Sequence, residues 1–94
     1  MDINKLVEEL QETIIEQSQK CNGDEMFLYM NPNTATHLSK LYEQEILGCS
    51  GNHGNIERIA GSKVVTKRWM DPDLILVGPW NDTIHMAQLK LDRE

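Results

Sequence analysis

Apolar residues recur every three or four positions at the start of the chain, which predicts an amphipathic helix from about Ile3 to Ser18. Asn22 and Gly23 suit a left-handed cap and should end this N-terminal helical segment, residues 1–22. The residues at helical spacing are Ile3, Leu6, Val7, Leu10, Ile14 and Ile15. Four of them, Ile3, Val7, Leu10 and Ile14, also have the 4-3-4 spacing of a coiled-coil seam and are therefore interface candidates. Because only about two heptads are present, packing within the chain is favoured.

A short apolar run followed by an Asn-Pro pair predicts a buried strand and then a second helix. The run is Met26–Met30, which has the length of a buried strand. Asn31 is a favoured N-cap and Pro32 a favoured first helical residue. We expect this helix to continue to about Glu45, with its apolar face formed by Ala35, Leu38, Leu41 and Tyr42.

The last third of the chain is rich in strand patterns. Strands are predicted over 56–59, 64–69, 74–77 and 84–91, with turns at 61–62, 70–73 and 78–79. The alternation slips near Ala87, which a bulge would explain. Residues 48–55 contain three glycines and two asparagines and should form an exposed loop.

These elements predict a single-domain α+β protein over residues 1–94. An N-terminal amphipathic helix and a second helix should pack on a small mixed β-sheet, with the α+β core spanning residues 26–91.

Charge and composition narrow the function classes. A formal net charge of −6 argues against nucleic acid as the main partner, because phosphate binding needs a basic surface. No stretch approaches the roughly 18 apolar residues of a membrane span, so no membrane partner is expected. Acidic residues interrupt the opening where a signal peptide needs an apolar region. We therefore expect a cytoplasmic protein in which Cys21 and Cys49 are free thiols.

The candidates for metal binding are sparse. Cys49 and His53 have a C-x₃-H spacing, and further ligands would have to come from Cys21, His37 or His85. A zinc site needs about four such groups converging on one point, and only one close pair exists. We expect no metal site.

The sequence also predicts no catalytic residue and no cofactor. The Gly-rich segment from Gly48 to Gly54 follows a predicted helix and precedes a strand, whereas phosphate-binding loops lie between a strand and a helix. Cys49 with a nearby histidine would need a rigid scaffold and a third orienting group to act as a nucleophile. We expect that the protein is not an enzyme.

Two tryptophans are candidates for an interface. Trp69 and Trp80 flank the Leu74–Val77 strand, and each lies beside a turn. Tryptophan is enriched at binding hot spots, but packing at the rim of the core is an equally good interpretation.

Two stretches resemble the capsid fold of tailed-phage major capsid proteins and encapsulins. MFLYMNPNTATHLSKL is similar to the strand, Asn-Pro cap and helix of that fold, and RIAGSKVVTKRWMDPDLILVGPW resembles the strands that follow. In the family this order belongs to the A domain, which gathers around the capsid symmetry axes. The chain has Lys63 where a proline is usual, and 94 residues leave no room for the peripheral domain, the extended loop or the N-terminal arm. It is therefore similar to an isolated A domain, as in the minimal family-four encapsulins.

This resemblance implies a non-enzymatic structural or assembly protein that forms a homo-oligomer. It implies phage or prophage origin, a cytoplasmic or shell-associated location, and a cargo or phage protein as a further partner. Contacts would come from the first helix and from the loop tip that holds Asn52 and His53. The alternative is a small phage-encoded protein-binding module, such as an inhibitor or accessory factor. A small metal- or nucleotide-binding enzyme is the least supported interpretation.

Overall fold

Two helices and five strands make up the residues that the structure, a computed structural model, describes: 2–44, 57–80 and 86–91. These elements confirm the predicted α+β class with two helices on a small mixed sheet. In chain order they are α1 (Ile3–Lys20), β1 (Phe27–Met30), α2 (Pro32–Tyr42), β2 (Arg58–Ile59), β3 (Ser62–Thr66), β4 (Leu74–Gly78) and β5 (Ala87–Lys90).

Both helices begin at a side-chain cap. The Asp2 carboxylate accepts hydrogen bonds from the backbone N–H groups of Asn4 (3.0 Å) and Lys5 (3.3 Å). Asn31 caps α2 by accepting from the N–H of Asn33 at 2.9 Å. The same amide donates through Nδ2 to the carbonyl of Met70 at 2.9 Å. Asn31 therefore starts the second helix and also fastens it to the turn between β3 and β4.

The sheet has the strand order β2-β3-β1-β4-β5. β1 runs parallel to β3 and antiparallel to β4, and the two outer pairs are antiparallel. Ala60 and Gly61, both at positive φ (53° and 86°), form the tight turn between β2 and β3. Ser62 was expected in that turn, but it is paired with Ile59 as the first residue of β3.

The bulge predicted near Ala87 is wrong for the described part of the last strand. β5 pairs without interruption from Ala87, opposite Val77, to Lys90, opposite Leu74. Ala87, Leu89 and Leu91 all pack on the core, so the inward row is regular. The alternation in the sequence slips because Met86, although apolar, points away from the core, on the side of the sheet opposite to Ala87, Leu89 and Leu91.

Met86 lies over Gly78, which explains why a glycine ends β4. A Cβ on Gly78 would come within 2.6 Å of Cγ of Met86 and 3.3 Å of its Cα. A larger residue could be accommodated only if the Met86 side chain moved away.

One hydrophobic core fills the space between the helices and the sheet. Its buried members are Ile3, Leu6, Val7, Leu10, Met26, Leu28, Met30, Ala35, Leu38, Ile59, Ile75, Val77 and Leu91. Three interface candidates, Ile3, Val7 and Leu10, thus lie in the core, where they are at most 8% exposed. Their side chains are unavailable to another chain, and Ile14 packs half-buried at the edge of the same core.

Gln17 continues the buried row of α1. It follows Leu10 by seven residues, two helical turns, and therefore lies on the same face. Its Nε2 donates to the carbonyl of Val77 at 3.3 Å, and the side chain is buried. This contact joins α1 to β4 through a polar group.

Candidate interaction surface

The side of the sheet that points away from α1 and α2 is the outer face. Side chains alternate between the two sides of a strand, so register and core membership assign each residue to a side. Leu28, Met30, Ile75 and Val77 point toward the helices. The strand residues on the outer face are Phe27, Tyr29, Arg58, Lys63, Val65, Leu74, Leu76, Gly78, Gln88 and Lys90.

The centre of the outer face is apolar. Val65 comes from β3, and Leu74 and Leu76 come from β4. All three are half-buried, and Tyr29, which lies between Val65 and Leu76, is 6% exposed. They do not belong to the hydrophobic core, which lies on the other side of the sheet. Both described helices pack on that inner side, so these three side chains form an apolar surface that α1 and α2 leave uncovered.

Aromatic side chains gather at one end of this surface. The rings of Phe27 and Trp80 meet edge to face, with centroids 5.4 Å apart and planes at 60°. The hydroxyl of Tyr29 donates to the carbonyl of Pro79 at 3.1 Å. Trp80 nevertheless remains 57% exposed. A large apolar ring is therefore held in a defined orientation beside the apolar centre.

Basic side chains border the outer face on both sides. Lys63 and Arg58 lie on β3 and β2, and Lys90 lies on β5 at the opposite edge; all three are exposed. Arg58 makes an ion pair with Glu25 at 3.7 Å, in which both side chains are more than half exposed. Such an exposed pair contributes little to stability. The outer face is thus apolar in the middle and net positive at its edges.

The opposite side of the molecule is acidic. The solvent side of α1 presents Glu8, Glu9, Glu12 and Glu16, all exposed. Ile15 lies among them and is 58% exposed, so the helical spacing was wrong to group it with the apolar stripe. We call Glu8, Glu12, Ile15 and Glu16 the acidic stripe. Because α1 packs on the inner side of the sheet, the acidic stripe and the outer face point in opposite directions.

The remaining predicted site residues are not brought together. Trp69 is 74% exposed and lies in the turn after β3, apart from the Trp80 ring pair. Cys21 is a half-buried free thiol and His37 is exposed on α2. Asn52, His53, Cys49 and His85 lie outside the described residues, as does the predicted loop 48–55. Within residues 2–44, 57–80 and 86–91, no group of three histidine, cysteine or acidic side chains is placed to hold a metal ion.

Sequence reasoning missed the residues that form the outer face. β1 and β4 are apolar on both sides, so their patterns carry no alternation that marks which side chains are inward. A usable alternation existed in β5, where Gln88 and Lys90 alternate with Ala87 and Leu89.

Comparison with known protein families, curated proteins and solved structures found no match for this chain. Among the described helices, none combines the length and apolar character needed to cross a membrane.

Proposed function

We propose that this chain is a non-enzymatic assembly protein that associates with copies of itself. The observation that supports this most is Trp80, which is 57% exposed at the end of the outer face beside the half-buried side chains of its apolar centre. Exposed apolar patches with a polar rim are typical of protein–protein contacts, and tryptophan is enriched at their hot spots.

The parallel pairing of β1 with β3 adds support. Parallel strands are usually covered on both sides, because their connections place other elements over the sheet. Here α1 and α2 cover one side only. Contact with another copy would remove the parts of Val65, Leu74 and Leu76 that are still exposed, and the exposed ring of Trp80, from water.

A capsid-like shell or ring component is the form of assembly that the sequence resemblance favours. A 94-residue domain buries a smaller share of its surface than a larger one, and association would add to its stability. A cargo or phage protein is a second partner that this function would accommodate.

Light scattering coupled to size exclusion tests the proposal. At micromolar concentration, with reductant present to prevent disulfides through Cys21, we expect a mass that is a multiple of the 10.8 kDa of one chain. A mass of 10.8 kDa across the whole concentration range would contradict the proposal and favour a monomeric binding module.

A further inference from the structure

We propose that the acidic stripe of one copy docks on the outer face of the next, so that copies associate head to tail. This inference depends on the proposed self-association and specifies the two surfaces that carry it.

Ile15 gives the acidic stripe an apolar centre. Glu8, Glu12 and Gln19 lie seven residues before, three before and four after Ile15, which places them around it on the helix surface. Ile15 is 58% exposed, and the apolar face of this helix is filled without it. The stripe therefore has an exposed apolar residue within a ring of negative and polar side chains.

The outer face has the complementary arrangement. Its apolar centre, Val65 and Leu76, lies between Lys63 on β3 and Lys90 on β5. These two strands are three positions apart in the sheet, about 14 Å measured across the strands. A helix with its side chains is about 10–12 Å wide. Along the strands the two lysines are offset by four residues, from the row of Gly78 to the row of Leu74, which is roughly 13 Å. An acidic helix laid obliquely over the centre would thus have a lysine on either side and Ile15 over the apolar residues.

Charge favours this contact over the symmetric alternatives. Two outer faces placed together would oppose Lys63, Lys90 and Arg58 of each copy, and two acidic stripes would oppose glutamates. Like charges across an interface disfavour it, and opposite charges select the partner surface. Because the two surfaces point in opposite directions, each copy can contact two neighbours. Such a contact generates a ring or an open filament.

Charge reversal on each surface tests the contact. One variant carries Glu8→Lys and Glu12→Lys, and the other carries Lys63→Glu and Lys90→Glu; all four side chains are exposed, so the fold should be retained. Matched controls reverse two exposed acids away from the stripe, Asp24→Lys with Glu57→Lys, or two exposed lysines away from the outer face, Lys20→Glu with Lys40→Glu. Circular dichroism verifies folding, and sedimentation velocity measures association.

We expect each surface variant alone to associate about tenfold more weakly or worse, while the controls associate as the unchanged protein does. Mixing the two surface variants should restore association, because each then offers a charge-matched surface to the other. If either surface variant assembles normally, or if the mixture stays dissociated, the head-to-tail contact is wrong while self-association stands. If the unchanged protein is itself a single chain, the proposed function fails and this inference fails with it.

Discussion

Replacing Leu10 with alanine should lower the free energy of unfolding by about 3 kcal/mol, within the ~2–5 kcal/mol typical of buried leucines. Leu10 is fully buried in the core between α1 and the sheet. Truncation removes apolar contacts and leaves a cavity that neighbouring elements fill only in part. A domain of this size has about 5–10 kcal/mol of stability, so the loss would be a large fraction of the total. Urea unfolding followed by circular dichroism measures it.

Gln11→Ala is the control for the Leu10 substitution. Gln11 is the next residue on the same helix and is exposed, and alanine is a good helix former. Its substitution should change the free energy of unfolding by no more than about 0.5 kcal/mol. If both substitutions have the same small effect, α1 is not docked on the sheet as described, and the assignment of inner and outer faces fails.

Two neighbouring valines in β3 should respond in opposite ways to the same substitution. Val65→Glu places a charge on the outer face, at the apolar centre of the proposed contact. It should leave the chain folded and abolish self-association, because the glutamate would meet the acidic stripe of the next copy. Val64→Glu places the same charge against the core. Val64 is half-buried against the core, where an unpaired carboxylate is unfavourable, so this variant should be destabilised by on the order of 2–4 kcal/mol.

Thermal unfolding and sedimentation of the two valine variants separate fold from assembly. The expected pattern is a dissociated Val65→Glu with a nearly unchanged thermal midpoint and a Val64→Glu with a clearly lowered midpoint. A Val65→Glu protein that associates like the unchanged chain would show that the outer face is not the contact surface. Equal destabilisation of both would mean that the outer face is covered within the chain.

The helices could be predicted because their signals are local. Asn31 and Pro32 mark the start of α2 by cap chemistry alone, and the three- and four-residue spacing of Ile3 to Leu10 marks α1. Ile15 and Gln17 show the limit of that spacing. Ile15 follows the half-buried Ile14 by one residue, about 100° around the helix, so it lies in solvent while the buried row continues from Leu10 to Gln17.

The outer face could not be predicted, because it depends on which strands are neighbours. β1 lies between β3 and β4, so Phe27 is brought beside Lys63 and Gly78 from distant parts of the chain. The bulge predicted near Ala87 was wrong for the same reason. Met86 lies on the outer face over Gly78, and this contact exists only in the folded chain. The capsid-like role stays a prediction supported by motifs and by this surface.

The emission of Trp80 during dilution tests most directly whether the chain self-associates through the outer face. The chain has two tryptophans, so Trp69→Phe leaves Trp80, at the end of the outer face, as the single reporter. Trp80→Phe leaves Trp69 in its exposed turn as the control. As dilution lowers the mass toward a single chain, the emission of Trp80 should shift to longer wavelength while that of Trp69 stays constant. Emission from Trp80 that does not change while the mass falls would contradict the account.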